Sequence, residues 1–250
     1  MISRTRLAAT PVFLVALFSG CAVGVVSPAP TPAASAAREV PLDVRWVRRS
    51  AEHDAAFAQT YRAAGRHLRA VADTLAAADW AVVLDADETL LDNSLYQRER
   101  AEQGLGFTPE SWDAWVRREQ ATALPGAAAF VQLVAELGGR VVVVTNREDA
   151  VCDQTRRNLT GVGLRADAVL CQVGGEGDKN PRFAAVEGGR VPGLPPLTTV
   201  MWVGDNVQDF PGLGQDVRLG GEGALAEFGN RFWVLPNPMY GSWTRNVSPD

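Results

Sequence analysis

The sequence contains few of the residues that build histidine-rich metal sites or basic binding surfaces. Among its 250 residues there are two histidines, His53 and His67, which are too few for a histidine-based metal centre. A surplus of positive charge is also lacking, because the formal net charge is −5. Nothing in this charge balance suggests a nucleic acid as a partner. The composition, with 46% hydrophobic and 21% charged residues, is that of an ordinary globular protein with one main domain.

The N-terminus has an apolar stretch that is too short for a stable membrane span. Two arginines precede this stretch, which covers residues 7–18 and is typical of a secretory signal. The small residues after it, followed by Cys21, resemble a bacterial lipoprotein signal. We therefore predict a signal peptide over 1–20 and lipidation of Cys21. The alternative is cleavage after 34–36, which would release a soluble periplasmic or secreted protein.

Residues 21–39 are rich in proline and alanine, a composition that cannot build a core and stays extended. We predict that they form a tether between a lipid anchor and a folded domain over 40–250. A protein of this kind is expected at the cell envelope. The outer membrane is favoured, because Ala22 stands where an aspartate commonly signals retention in the inner membrane.

Two cysteines, Cys152 and Cys171, remain inside the predicted domain. The first falls on a predicted helix and the second at the end of a predicted strand, so the sequence leaves their geometry open. We expect two buried free thiols. A disulfide, which an oxidising compartment would permit, is the alternative.

Short apolar runs alternate with amphipathic segments along the domain. This alternation predicts an α/β fold, a Rossmann-like and mainly parallel sheet flanked by helices. Segments 45–78 and 94–122 are expected to pack together as a small helical subdomain beside the sheet. Strands are predicted at 80–84, 141–144, 168–171, 199–203 and 232–235. Helices are predicted at 47–78 (either one helix or two with a break near Gly65), 94–122, 126–137, 149–159 and from Asn180.

Polar residues follow three of the predicted strands: Asp85, Thr145 and Asp205. Ligands of a parallel sheet bind outside the carboxyl ends of its strands, so we expect these three residues to converge on one edge. One polar residue after a strand is usually a turn or a cap, and the carboxylates around Asp85 could be solvated charges in a loop. Convergence of all three favours a binding site.

The chemistry that this cluster suits is phosphoryl transfer. Asp85 would attack phosphorus as a nucleophile, and Asp87, which projects to the same side, would protonate the departing alcohol and then activate water. Because nucleophile and phosphate are both negative, a cation is required, and Mg²⁺ prefers oxygen ligands. The predicted ligands are Asp85, the backbone carbonyl of Asp87, and Asp205, with Asp209 as an alternative ligand.

Further residues are predicted to contact the substrate. Thr145, Asn146 and Lys179 would bind the non-bridging phosphate oxygens. Aromatic side chains could stack on a nucleobase, although packing inside the protein is the alternative for each of them. The candidates are Tyr96, Trp112, Trp115, Tyr240 and Trp243.

The ordered set of motifs resembles a known family. The motifs are VVLDADETLLDNS, VVVVTNRE, DKNPRF, VGDNVQDF and LPNPMYGSW. Together, over about residues 45–245, they are similar to the haloacid dehalogenase-like superfamily and most of all to the class C acid phosphatases related to bacterial outer-membrane lipoprotein e. The resemblance implies an Mg²⁺-dependent acid phosphatase that acts outside the cytoplasm through an aspartyl-phosphate. Its expected substrates are small phosphomonoesters, often nucleoside 5′-monophosphates.

Two other functions stay open at this stage. A phosphotransferase of the same superfamily would share every residue named above. A non-catalytic surface lipoprotein would usually have lost some of the residues Asp85, Asp87, Lys179 and Asp205, all of which are present. The oligomeric state is also open, with a homodimer as one alternative.

Overall fold

The structure is a computed structural model, and it describes residues 39–246. The predicted signal peptide, the lipidation site Cys21 and most of the predicted tether lie outside the described residues. Within the described residues, no helix combines the length and the apolar character needed to cross a bilayer.

Helices and strands alternate along the described chain. The helices are α1 (Leu42–Arg49), α2 (Ala51–Ala72), α3 (Ser94–Gln103), α4 (Pro109–Arg118), α5 (Ala127–Glu136), α6 (Cys152–Gly161), α7 (Asn180–Glu187) and α8 (Gly221–Ala224). The strands are β1 (Trp80–Leu84), β2 (Leu91–Asp92), β3 (Thr122–Ala123), β4 (Arg140–Glu148), β5 (Ala168–Gln172), β6 (Thr198–Gly204) and β7 (Phe232–Val234).

Five strands form a fully parallel sheet in the order β5-β4-β1-β6-β7. The chain leaves the central strand β1 for β4 and β5 on one side and then returns to add β6 and β7 on the other. The strand order therefore reverses between β1 and β6. The prediction of a Rossmann-like parallel sheet flanked by helices is confirmed. Strands β2 and β3 form a separate short antiparallel pair.

The central strand β1 is buried on both faces. Val82 and Leu84 pack with Phe57 of α2 in one hydrophobic cluster, while Ala81 and Val83 belong to a second cluster on the opposite face. Side chains of a strand alternate between faces, so a strand covered on both sides reads as a continuous apolar run. This explains the sequence WAVVL.

The first long helical segment is interrupted, but not near Gly65. Of the two alternatives, a break near Gly65 is wrong, because α2 runs through this residue. The break lies at Ser50, whose hydroxyl oxygen accepts a hydrogen bond from the backbone N–H of His53 and so caps α2. Gly65 serves packing instead, since a Cβ there would lie 2.9 Å from Cδ2 of Leu133 on α5.

The predicted helix over 94–122 is two helices. Helix α3 ends at Gly104, which has a φ of 68°, and α4 begins after Thr108, which forms a capping box with Ser111. Within the predicted helical subdomain, α1 packs on α3. Helix α2 instead packs on α5 and β7 and forms part of the layer that covers the sheet.

The expectation of free thiols was wrong, because Cys152 and Cys171 form a disulfide. Strand β5 pairs with β4, and the end of β4 leads through the 3₁₀ turn Asp149–Val151 into α6. The first residue of α6 therefore lies beside β5, and the two Cα atoms are 5.9 Å apart, within bonding reach.

Candidate active site

The candidate site lies where the strand order reverses. Asp85 directly follows β1 and Asp205 directly follows β6, the two strands on either side of the reversal. The backbone N–H of Asp85 donates a 3.0 Å hydrogen bond to the carbonyl of Val203 and keeps the two strand ends together. A crevice outside the carboxyl ends of strands at this point is the usual ligand site of such sheets.

Three carboxylates meet in this crevice. Asp85, Asp205 and Asp209 each offer an oxygen, and these oxygens all lie within 4.8 Å of one another. Asp209 ends the 3₁₀ turn Val207–Asp209. Gly204 permits this arrangement, since a Cβ at that position would lie 2.3 Å from Cβ of Asp209.

Among residues 39–246, Lys179 is the only cationic side chain that forms a salt bridge with any of these three carboxylates. Its ammonium group donates to Asp85 Oδ1, and it donates to Asp209 Oδ1 at 2.7 Å. Burial by itself would lower the pKa of Lys179, but the Asp209 and Asp85 carboxylates outweigh burial and hold this pKa above its ordinary value. Lys179 is the only lysine among the 250 residues. A compact ammonium with three donors can bond both carboxylates at once.

The cluster carries more negative charge than Lys179 balances. Burial raises the pKa of Asp85 to about 7; Lys179 opposes this rise, while Asp209 and Asp87 add to it. Burial, followed by the charges of Asp209 and Asp85, raises the pKa of Asp205 well above its ordinary value. With all three carboxylates ionised, one ammonium would leave an excess of two negative charges, and this repulsion is what the raised pKa values of Asp85 and Asp205 reflect beside burial. Because hard divalent cations prefer oxygen ligands, this donor set fits such a cation.

Asp87 lies apart from the cluster and has other partners. The guanidinium of Arg147 donates to Asp87 Oδ1 from Nη2 at 2.7 Å and to Asp87 Oδ2 from Nε at 3.2 Å. The amide of Asn93 also donates to Asp87 Oδ1, at 2.9 Å. The side chain of Asp87 is therefore held by two donors, while its predicted backbone contact to a metal stays a prediction.

Sequence reasoning missed Arg147 and Asn93. Both residues are fully buried, and Asn93 Oδ1 accepts from the Trp115 indole at 2.8 Å and from Arg147 at 3.1 Å. One sequence feature does point to Arg147. It stands two residues after Thr145 in β4, so both side chains project to the same face of the strand.

The residues predicted to bind phosphate surround the end of β4. Thr145 is buried and its hydroxyl oxygen accepts from the backbone N–H of Arg147, whereas Asn146 is exposed and donates to the Gly177 carbonyl at 2.9 Å. Arg182 on α7 donates to the Thr145 carbonyl and to Asn146 Oδ1. Their predicted contacts with phosphate stay predictions.

The aromatic candidates divide into two groups. Tyr96 and Trp115 are buried in the core, which favours the packing alternative for these two residues. Trp112 is partly buried, with its ring edge-to-face against Tyr96. Tyr240 and Trp243 follow Asn237, whose amide donates to Asp205 Oδ2 at 2.8 Å, and they lie on the segment next to the site.

Comparisons with known proteins agree with the resemblance seen in the motifs. The family model described as HAD superfamily, subfamily IIIB (acid phosphatase) matches residues 21–243. The crystal structure of the class C acid phosphatase from Bacillus anthracis with tungstate bound is 31% identical to the chain, with a TM-score of 0.72. Another structure of the class C acid phosphatase from Bacillus anthracis is 30% identical, with a TM-score of 0.71. Each comparison covers 80% of this chain and 84% of the other.

Proposed function

The chain belongs to the acid phosphatases of HAD superfamily subfamily IIIB, and from this premise we propose that it hydrolyses phosphomonoesters through a phosphorylated Asp85. The observation that carries the proposal is the different environment of two neighbouring carboxylates. Asp85 lies in the acidic cluster and contacts Lys179, while Asp87 is held by Arg147. Carboxyl groups placed in different environments can take different roles in one reaction. Because burial raises the pKa of Asp85 to about 7 even beside Lys179, its role as the attacking carboxylate requires the positive charge of Lys179 and of a bound cation.

In the first step, an oxygen of Asp85 attacks phosphorus and the bond between phosphorus and the ester oxygen breaks. Asp87 gives its proton to the departing alcohol oxygen. In the second step, Asp87 takes a proton from water as the water oxygen attacks phosphorus. The bond between phosphorus and Asp85 then breaks, which releases inorganic phosphate and regenerates both carboxyl groups.

We propose that Asp85, Asp205 and Asp209 hold Mg²⁺ together with the backbone carbonyl of Asp87. When bound, this ion would supply positive charge that offsets the repulsion between the carboxylates and the phosphate. Lys179 and the Thr145 hydroxyl would contact the non-bridging oxygens of the same phosphate. The tungstate in the Bacillus anthracis structure supports this proposal, because tungstate is a tetrahedral oxyanion like phosphate.

Nucleoside 5′-monophosphates are the proposed substrates. The support comes from the resemblance to the lipoprotein e group and from the aromatic residues near the site. Tyr240 and Trp243 are partly exposed on the segment that reaches Asp205 through Asn237. An aromatic face in this position could stack on a base.

We also propose that the protein acts outside the cytoplasm, anchored to the outer membrane through Cys21. The lipoprotein-like N-terminus supports this placement. The disulfide between Cys152 and Cys171 supports it independently, because such bonds persist mainly in oxidising compartments.

The test is phosphate release by the mature chain, residues 21–250, from nucleoside monophosphates, glycerol phosphate and 4-nitrophenyl phosphate between about pH 5 and pH 7.5. Each substrate is measured with Mg²⁺, with a chelator and with Asp85→Asn. Asp167→Asn is the matched control, because that carboxylate lies outside the site and pairs with Arg140. We expect release that needs the metal and is lost only in Asp85→Asn, and a phosphate-sized mass gain on Asp85 after a rapid acid quench. Undiminished release by Asp85→Asn would refute the covalent mechanism, and transfer to an added alcohol would identify a phosphotransferase.

A further inference from the structure

Three consecutive residues at the end of β6 each accept a hydrogen bond from one later segment of the chain. The backbone N–H of Leu235 donates to the Gly204 carbonyl at 2.9 Å, and the Asn237 amide donates to Asp205 Oδ2 at 2.8 Å. The hydroxyl of Ser242 then donates to Asn206 Oδ1 at 2.7 Å. We call residues 235–242 the C-terminal brace.

The amide of Asn237 is oriented by the brace itself. Its carbonyl oxygen accepts from the backbone N–H groups of Met239, at 3.0 Å, and of Tyr240, at 3.4 Å. With the oxygen held by two backbone donors, the NH₂ group faces Asp205. An Asn side chain with the opposite orientation would place its oxygen against the carboxylate and lose these backbone contacts.

Asp205 has few other partners that could fix its side chain. The Thr89 hydroxyl contacts its other oxygen at 3.4 Å, which is a long contact for a hydroxyl donor. Asn237 therefore makes the shortest hydrogen bond to this carboxylate. A neutral amide can hold the carboxylate without competing with a cation for its charge, and residues that hold a metal ligand in this way commonly change metal affinity 10–100-fold, roughly.

We propose that Asn237 is a positioning residue that holds Asp205 in the orientation needed to bind a divalent cation. This inference rests on the proposed function, because it takes Asp205 as a metal ligand. It goes beyond that function by assigning a role in metal affinity to the C-terminal brace, a segment outside the β1 and β6 motifs.

The test measures binding of the metal alone, without turnover. Mg²⁺ binding is followed by titration calorimetry and Mn²⁺ binding by electron paramagnetic resonance, in the mature chain and in Asn237→Ala and Asn237→Leu. We expect the dissociation constant to rise about 10–100-fold in both variants. Gln132→Ala is the matched control, because Gln132 is an exposed amide on α5 that donates to Glu136 and takes no part in the hydrogen bonds of the brace. It should bind metal as the parent does.

A second readout separates positioning from a structural role. If Asn237 acts through metal affinity, a high Mg²⁺ concentration should restore turnover in Asn237→Leu but not in Asp205→Ala. Metal-free thermal unfolding of Asn237→Leu should match that of Gln132→Ala. A dissociation constant within twofold of the parent in both Asn237 variants overturns the proposal, as does loss of folding in both without metal. If the parent itself binds no divalent ion, the metal part of the proposed function fails as well.

Discussion

Arg147 contacts both oxygens of the Asp87 carboxylate, with Nη2 at 2.7 Å from Oδ1 and Nε at 3.2 Å from Oδ2. The Arg147 side chain is fully buried and also donates to Asn93, which donates in turn to Asp87. A two-point contact with a planar guanidinium fixes the plane of the carboxylate as well as its position. The group proposed to transfer the proton is therefore held in one orientation before a substrate binds.

Replacing Arg147 should impair the chemical step more than substrate binding. We expect Arg147→Lys to lower kcat about 100-fold, because a single ammonium cannot hold the plane of the Asp87 carboxylate and small misplacements cost about that much. The loss should be larger for glycerol phosphate than for 4-nitrophenyl phosphate, whose leaving group needs little protonation. Steady-state kinetics on both substrates checks this.

The control for Arg147 is Arg156→Lys, which alters an exposed arginine on α6 paired with Asp153. It should leave both substrates unaffected. Equal losses on the two substrates in Arg147→Lys would contradict a role in proton transfer to the leaving group.

Lys179 should not be replaceable by arginine. The ammonium is buried and bonded to both Asp85 and Asp209, so the larger guanidinium would have to displace one of the two carboxylates. We expect Lys179→Arg and Lys179→Met to lower kcat at least about 100-fold, the scale seen when one charge-stabilising donor is removed. Turnover at saturating Mg²⁺ checks this, and a Lys179→Arg enzyme within threefold of the parent would refute it.

The sheet could be predicted from sequence because its pattern is local. A strand buried on both faces must be a continuous apolar run, and WAVVL in β1 is such a run, followed by Asp85. The break in the first helical segment was harder to place. Glycine is a helix breaker by local preference, but Gly65 stays helical because it packs against Leu133, 68 positions along the chain.

The partners of the site residues could not be predicted, because they depend on contacts between distant segments. Asp85, Asp87 and Asp205 stand out by following strands. Arg147 meets Asp87 from 60 positions away, and Asn237 meets Asp205 from 32 positions away. No local pattern marks those pairings. The disulfide was missed for the same reason, since it depends on how the start of α6 lies beside β5.

Stability without metal should fall as the pH rises. Burial raises the pKa of Asp85 from its ordinary 3.8 to about 7, so the folded state binds this proton more tightly than the unfolded state does. Stability is therefore lost between about pH 4 and pH 7, by up to about 1.4 kcal/mol per pH unit. The direction for Asp205 is the same.

Thermal unfolding of chelator-treated protein at about pH 5 and pH 7.5 measures this loss. Mg²⁺ should raise the unfolding temperature more at the higher pH, because it replaces the lost protons. Asp85→Asn should show a flatter pH dependence than the parent. If the unfolding temperature of the parent instead rises relative to that of Asp85→Asn as the pH increases, the pKa of Asp85 is not raised in the folded state.

Substitution of Tyr240 should change substrate affinity, whereas substitution of Trp115 should change stability. Tyr240 is partly exposed beside the site, and its hydroxyl has no hydrogen-bond partner within residues 39–246. We expect Tyr240→Ala to raise KM about 10-fold for nucleoside monophosphates, the scale of one base–aromatic contact, and to leave KM for glycerol phosphate unchanged. Trp115→Phe removes the donor to Asn93, so it should lower the unfolding temperature. Equal effects of Tyr240→Ala on both substrates would count against stacking.

The disulfide between Cys152 and Cys171 should stabilise the fold without contributing to catalysis. The two cysteines are separated by 19 positions, and the bond joins the start of α6 to β5. Neither cysteine is near Asp85, Asp205 or Asp209 in the sequence. A loop of this size corresponds to about 3 kcal/mol of unfolded-state entropy. We expect Cys152→Ala/Cys171→Ala to lower the free energy of unfolding by about that amount, in denaturant titrations, and to keep kcat at a temperature where the variant is folded. The disulfide is connected to the site through β4 and the turn that follows it. A large loss of kcat in folded, fully metal-loaded protein would therefore show that the disulfide shapes the end of β4, where Thr145 and Arg147 lie.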